Sequence, residues 1–197
     1  MPPKPKITRS MIIDAAFEII RNTGIETVNA RTVSNKLNCS TQPVMYHFKT
    51  IEELKSAVYD KADAYHSAYL MNIHSDNPMK DIGLNYIQFA VKEKNLFRFL
   101  FQSNEFSGKN MTELINAEEL QPILSILCEE SAVNPEQAKI IFRSLFLLAH
   151  GYASMFANNE MAYDEQIVLS DLSLIYAGAI NALKGENECT HSIRKMN

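Results

Sequence analysis

Between Ser40 and Phe48 the chain reads Ser-Thr-Gln-Pro-Val-Met-Tyr-His-Phe. Two of these side chains are suited to reading nucleic acid. The Gln42 amide both donates and accepts, as adenine N6 and N7 require, and the Tyr46 phenol can reach a base edge or a phosphate. At about 100° per residue on a helix, Val44 and Phe48 share one apolar side while Gln42 and Tyr46 point away from it. Pro43 and Met45 flank that outer face, and Thr41 opens it. The competing interpretation is a surface helix whose polar groups meet only water.

Such a short helix needs neighbours to hold it. Upstream lies a helical stretch, Arg31 to Leu37, separated from Ser40 only by Asn38 and Cys39. Asn tolerates positive φ, so a tight turn fits at Asn38. Ser40 is expected to cap the second helix through its hydroxyl, and Pro43 falls in the first turn, where its missing N–H costs little. Two helices joined in this way form a helix-turn-helix, whose second member can enter a major groove.

The flanking chain fits the same plan. Thr8 can cap a first helix to about Thr23, with an apolar stripe of Ile12, Ala16, Ile19 and Ile20, and Gly24 closes it. Asn29 can cap the helix that begins at Ala30. Arg31 and Thr32 in its first turn are free to meet a phosphate, and Ser34 is small where two helices must approach closely. Thr50 and Glu53 have the spacing of a capping box for a long helix from Ile51 to about His74. Lys49, just before it, is placed for another phosphate.

Composition supports a helical protein. Of 197 residues 46% are apolar, with only 6 Gly and 7 Pro, and period-2 alternation is rare, so the expected class is all-α. Up to Lys61 there are nine bases and six acids, a net +3 that leaves −7 for the remainder of a chain of net charge −4. A basic head on an acidic body suits a protein that meets phosphates at one end. Cys39, Cys128 and Cys189 lie far apart with no CxxC pair, which argues against a disulfide framework and for the cytoplasm. Met1 to Ile7 reads as a loose arm, and its Pro- and Lys-rich Met1 to Lys6 has no signal-peptide core behind it. The most apolar stretch, Ile140 to Ala157, carries Arg143 and His150, against a membrane span. His47, His66, His74, His150 and His191 lack metal-ligand spacing, and no nucleophile stands beside a base. Neither an enzyme nor a cofactor or metal is expected.

Residues 8 to 60 resemble the DNA-binding head of the TetR family of transcriptional regulators. The matching blocks are Ile12-Ile13-Asp14-Ala15-Ala16-Phe17, Gly24, Thr32-Val33-Ser34, Ser40 through Tyr46-His47-Phe48-Lys49, and Glu52-Glu53-Leu54, in order and without gaps. Asn38 replaces the usual Gly, Met45 a usual aromatic and Ile51 a frequent Lys. The resemblance implies a three-helix head at residues 1–50, a linking helix at 51–74, and a helical ligand-binding and dimerisation domain within 51–197, about nine helices in all. It implies DNA contacts from Asn29, Arg31, Thr32, Thr41, Gln42, Pro43, Tyr46, His47 and Lys49.

Beyond Asp76-Asn77-Pro78 the chain reads as helices over 79–94, 96–101 and 111–130, the last interrupted near Pro122, with a turn at Ser107 to Asn110. Asn134-Pro135-Glu136-Gln137 is a strong helix start. The helix from there to about Asn158 is apolar nearly all round, and the final helix, Asp164 to Lys184, carries two apolar stripes before Gly185. The tail after Glu186 reads as disordered. The first of these helices is expected at the centre of the domain or against a partner chain, and the two stripes of the last again suggest a partner chain. The family pairs through its last two main helices, which implies a homodimer. It also binds small apolar molecules in this domain, for which Tyr86, Phe89, Phe101, Phe146, His150 and Tyr152 are the candidates. The expected function is a ligand-released repressor on a palindromic operator. An all-α adaptor that binds another protein, without DNA or ligand, is the alternative, and a constitutive DNA-bound dimer is a third reading.

Overall fold

The computed structural model describes residues 7–102 and 110–194, with side chains as far as Lys184. All of the expected arm but Ile7, all of the expected turn but Asn110, and the side chains of the tail lie outside the described residues. Among the described residues there are ten α-helices, two short 3-10 turns and no strand. The described residues form two compact units, one from 7–69 and 92–102, the other from 70–91 and 110–194.

The first unit holds α1 (Arg9–Thr23), α2 (Ala30–Lys36), α3 (Thr41–His47), nearly all of α4 (Ile51–Leu70) and α6 (Lys94–Phe101). Thr8 starts α1, its Oγ1 accepting the Met11 N–H at 3.2 Å. Gly24 ends it at φ 93°, a conformation that glycine adopts without a Cβ penalty. Ile12, Ala16, Ile20, Val33, Val44, Leu54, Val58, Leu96 and Phe97 are fully buried and form the core. The helix foreseen to His74 stops at Leu70. There Asp81 gathers the following loop, its carboxylate accepting the N–H groups of His74 at 2.8 Å and Ser75 at 2.6 Å.

A polar tie crosses this unit. Arg21, at the end of α1, donates through Nε to Glu93 Oε2 at 2.8 Å and through Nη2 to Glu93 Oε1. Tyr65 of α4 donates to the same carboxylate at 3.2 Å, and Asn95 Nδ2 donates to the Arg21 carbonyl at 3.1 Å. Glu93 is buried, so a carboxylate there is tolerable only with this full set of donors. Its bonds hold the Arg21 guanidinium above its ordinary pKa, and burial raises the Tyr65 phenol.

The second unit holds α5 (Pro78–Lys92, to Val91), α7 (Met111–Ile115), α8 (Gln121–Ser131), α9 (Pro135–Asn158) and α10 (Glu165–Arg194). The break expected near Pro122 falls earlier, at Asn116 and Ala117, and Pro122 sits in the first turn of α8 where it lacks nothing. Asn134 and Gln137 form the anticipated reciprocal cap of α9, with bonds of 3.0 and 3.2 Å. α10 continues past Gly185 to Arg194, where an end and a disordered tail were expected. A helical glycine costs about 1 kcal/mol against alanine and does not end a helix by itself.

His66, on α4 of the first unit, is 5% exposed and meets the Phe101 ring edge-on at 5.0 Å. Desolvation pushes its pKa down from 6.5 to about 4. The fold therefore holds the neutral ring, while the unfolded chain protonates below pH 6.5. The resulting stability is complete above pH 6.5 and erodes as pH falls toward 4, by about 3 kcal/mol in total. Urea unfolding across that window should show the loss, and His66→Leu should flatten it. Equal slopes for the two proteins would contradict the assignment.

Candidate nucleic-acid interface

The turn between α2 and α3 has the conformation that its sequence requires. Asn38 takes φ 52°, and the Cys39 N–H returns to the Ser34 carbonyl at 3.0 Å. Ser34 is 2% exposed, where a larger side chain would hold the two helices apart. Ser40 differs from expectation, since its hydroxyl makes no capping bond to α3. Packing holds this seven-residue helix instead. Val44 and Phe48 are 0% and 1% exposed, the Arg9 guanidinium lies 4.5 Å over the Phe48 ring, and His47 Nε2 donates to the Ile7 carbonyl at 3.1 Å.

The opposite side of α3 faces outward. Thr41 and Gln42 are exposed and Pro43 is half-buried. Met45 is 45% exposed and Tyr46 81%, the highest value among the large apolar and aromatic residues described. The Tyr46 ring stands edge-on to His47 at 5.2 Å. Asn29, Arg31, Thr32 and Lys49 lie in the same unit with varied commitments. Asn29 Oδ1 accepts the N–H groups of Arg31 and Thr32, both at 3.0 Å. Thr32 Oγ1 accepts the Asn29 N–H at 3.1 Å and donates to the Thr27 carbonyl at 2.8 Å. These two therefore build the start of α2, while the Arg31 and Lys49 side chains are exposed. The expected α4 cap is present in its forward half, with Thr50 Oγ1 accepting the Glu53 N–H at 3.1 Å, while the return bond from Glu53 goes to the Lys49 N–H at 3.0 Å, one residue before Thr50.

The six candidates for a ligand site are divided. Tyr86, Phe146 and His150 come together in the second unit, with Tyr86 Oη 2.8 Å from His150 Nδ1 and the Phe146 ring 6.0 and 5.5 Å from the two. Burial raises the Tyr86 phenol and lowers the His150 imidazole, so both are neutral near pH 7. Phe89 is fully buried in the same unit. Tyr152 instead donates to Asp171 Oδ2 at 2.5 Å and stacks on Phe156. Phe101 belongs to the first unit, beside His66 and Phe97. A cleft of about 330 Å³ near Leu124, Cys128, Pro135 and Lys139 is lined by none of the six. Sequence reasoning missed the tie of Arg21 and Tyr65 to Glu93 and, separately, the burial of His66. Their partners are distant in sequence, and Glu93, flanked by Lys92 and Lys94, reads locally as one of a run of surface charges.

A helix-turn-helix in the first unit, with the outer side of α3 exposed, and an all-α second unit define the class by fold. That fold is the fold of the TetR-family regulators. A single-residue variant of TetR from Acinetobacter baumannii AYE, solved in complex with minocycline, matches at TM-score 0.59 and 18% identity, over 88% of this chain and 96% of that one. The multidrug binding protein EbrR, solved with imidazole, matches at 0.57 and 18%, over 89% and 97%. In sequence, the uncharacterized HTH-type transcriptional regulator YobS of Bacillus subtilis (strain 168) is 21% identical over 175 residues, 86% of this chain and 90% of YobS. No family model matches the chain.

Proposed function

We propose that this protein is a homodimeric, non-enzymatic, cytoplasmic transcriptional regulator that binds a palindromic operator through α3 and is released from it by a small apolar molecule, acting as a repressor. The observation that carries the reading is the division of α3 between a buried anchor, Val44 and Phe48, and an outer face of Thr41, Gln42 and Tyr46. A helix-turn-helix offers these residues to a major groove. Thr41, Gln42, Pro43 and Tyr46 contact bases. Arg31, Lys49 and His47 set the head on phosphates, with Asn29 and Thr32 shaping the approach of α2.

The dimer is supported by apolar side chains left uncovered in one subunit. Ile140, Leu147 and Met155 on α9, and Ile167, Leu174 and Ile175 on α10, are 37–70% exposed. By length and composition α9 and the 165–184 part of α10 would also suit a bilayer. Nevertheless α9 buries Ile141, Leu145, Ala149 and Ala153 in the core, and a partner helix accounts for the remaining face. In the proposed division, residues 1–50 form the DNA-binding head and 51–197 the ligand-binding and dimerisation domain. A ligand near Tyr86, Phe89, Phe146 and His150, with Phe101 and Tyr152 as further candidates, would act by preferring a conformation of α4 that does not suit DNA. The complexes of the Acinetobacter TetR variant with minocycline and of EbrR with imidazole support a small-molecule ligand.

Duplexes selected from a random pool should bind the wild-type dimer in preference to scrambled DNA. Gln42→Ala and Tyr46→Ala should each lose discrimination worth about 1–3 kcal/mol per base contact, while Lys49→Ala should weaken all sequences alike. Intact discrimination in both reading-face variants would refute the assignment of that face. The dimer has its own test. A Cβ at Gly151 of α9 would meet nothing within 4 Å in one subunit. Gly151→Arg should therefore fold, as circular dichroism would show, yet sediment as a monomer. A persistent dimer would place the interface elsewhere.

A further inference from the structure

Met45 shares the outer half of α3 with groups that differ from it chemically. Thr41, Gln42 and Tyr46 each present a hydroxyl or an amide, whereas Met45 offers a flexible apolar chain ending in a methyl group. It is 45% exposed and follows Gln42 by three residues and Thr41 by four, so the three form one stripe on a flank of the reading face. A thioether has no donor to give a phosphate. The major groove displays one apolar feature, the C5 methyl of thymine. Three helical residues advance about 4.5 Å along the axis, close to the ~3.4 Å between successive bases, so residues three apart can address neighbouring steps. The three rotatable bonds of methionine let its tip settle against a methyl group without rigid alignment.

We infer that Met45 is a specificity-determining residue that reads a thymine methyl in each half-site, next to the base pair read by Gln42. This rests on the proposed binding of DNA through α3. The test uses the full-length dimer and its selected duplex, with each thymine replaced in turn by deoxyuridine, which keeps the pairing and removes only the methyl group. Affinity is measured at one fixed salt concentration. For the wild type, one symmetry-related thymine per half-site should lose about fourfold on replacement, the worth of one buried methyl-sized group. Met45→Ala should bind the thymine duplex about as weakly as the wild type binds the deoxyuridine one, with no further loss on replacement. Met45→Leu should keep the sensitivity. Thermal melts confirm that the variants fold, as expected for an exposed position.

Wild-type indifference to every replacement, or undiminished sensitivity in Met45→Ala, would overturn the inference. If those results come with sequence discrimination that depends on Gln42 and Tyr46, the DNA-binding reading stands and the methyl contact alone is lost. If selection returns no preferred duplex, that reading falls and the inference with it.

Discussion

The burial of Val44 and Phe48 is the constraint on which the head depends. Seven residues are too few to hold a helix in water, since nucleation costs more than one turn returns, and α3 lacks even a side-chain cap. Its stability must come from the two apolar side chains sunk among α1 and α2, closed over by Arg9 and tied by His47 to Ile7. Once those contacts fix the rotation of the helix, the direction of Gln42, Met45 and Tyr46 follows from its pitch. The protein can then leave an 81% exposed tyrosine on its surface because the opposite face supplies the anchoring.

A second fixed point holds the frame. Glu93 collects Arg21 from α1 and Tyr65 from α4 just after the chain returns from the second unit at Lys92. A buried carboxylate with several donors enforces one arrangement of the elements that carry them, because displacing any donor leaves the charge undersolvated. The end of α1, the middle of α4 and the start of α6 therefore move together or not at all. In the second unit the bond between Tyr86 and His150 joins α5 to α9 through two neutral groups.

Much of this was legible in the sequence where the cause is local. Thr8, Gly24, Asn29, Asn38 and Asn134 each carry a cap or turn written in the residue itself, and the structure has each as read. The anchoring of α3 followed from the four-residue spacing of Val44 and Phe48. What depends on distant partners was not legible. Ser40 looks like a cap, but packing decides its helix. Gly185 looks like a stop, but the backbone continues through it. Phe101 reads as an aromatic on a short apolar helix, but its contact with His66 of α4 has no local signature. The pairing of Arg21 with Glu93 spans 72 residues and has no local signature.

The central claim is that two outward faces of α3 engage one duplex as a symmetric pair. A hydroxyl-radical footprint of the full-length protein on its selected duplex tests this most directly. The account predicts two protected patches related by a dyad, their centres about 34–36 Å or a whole multiple apart, on one side of the helix. A single patch, or two patches out of phase with the helical turn, would contradict it.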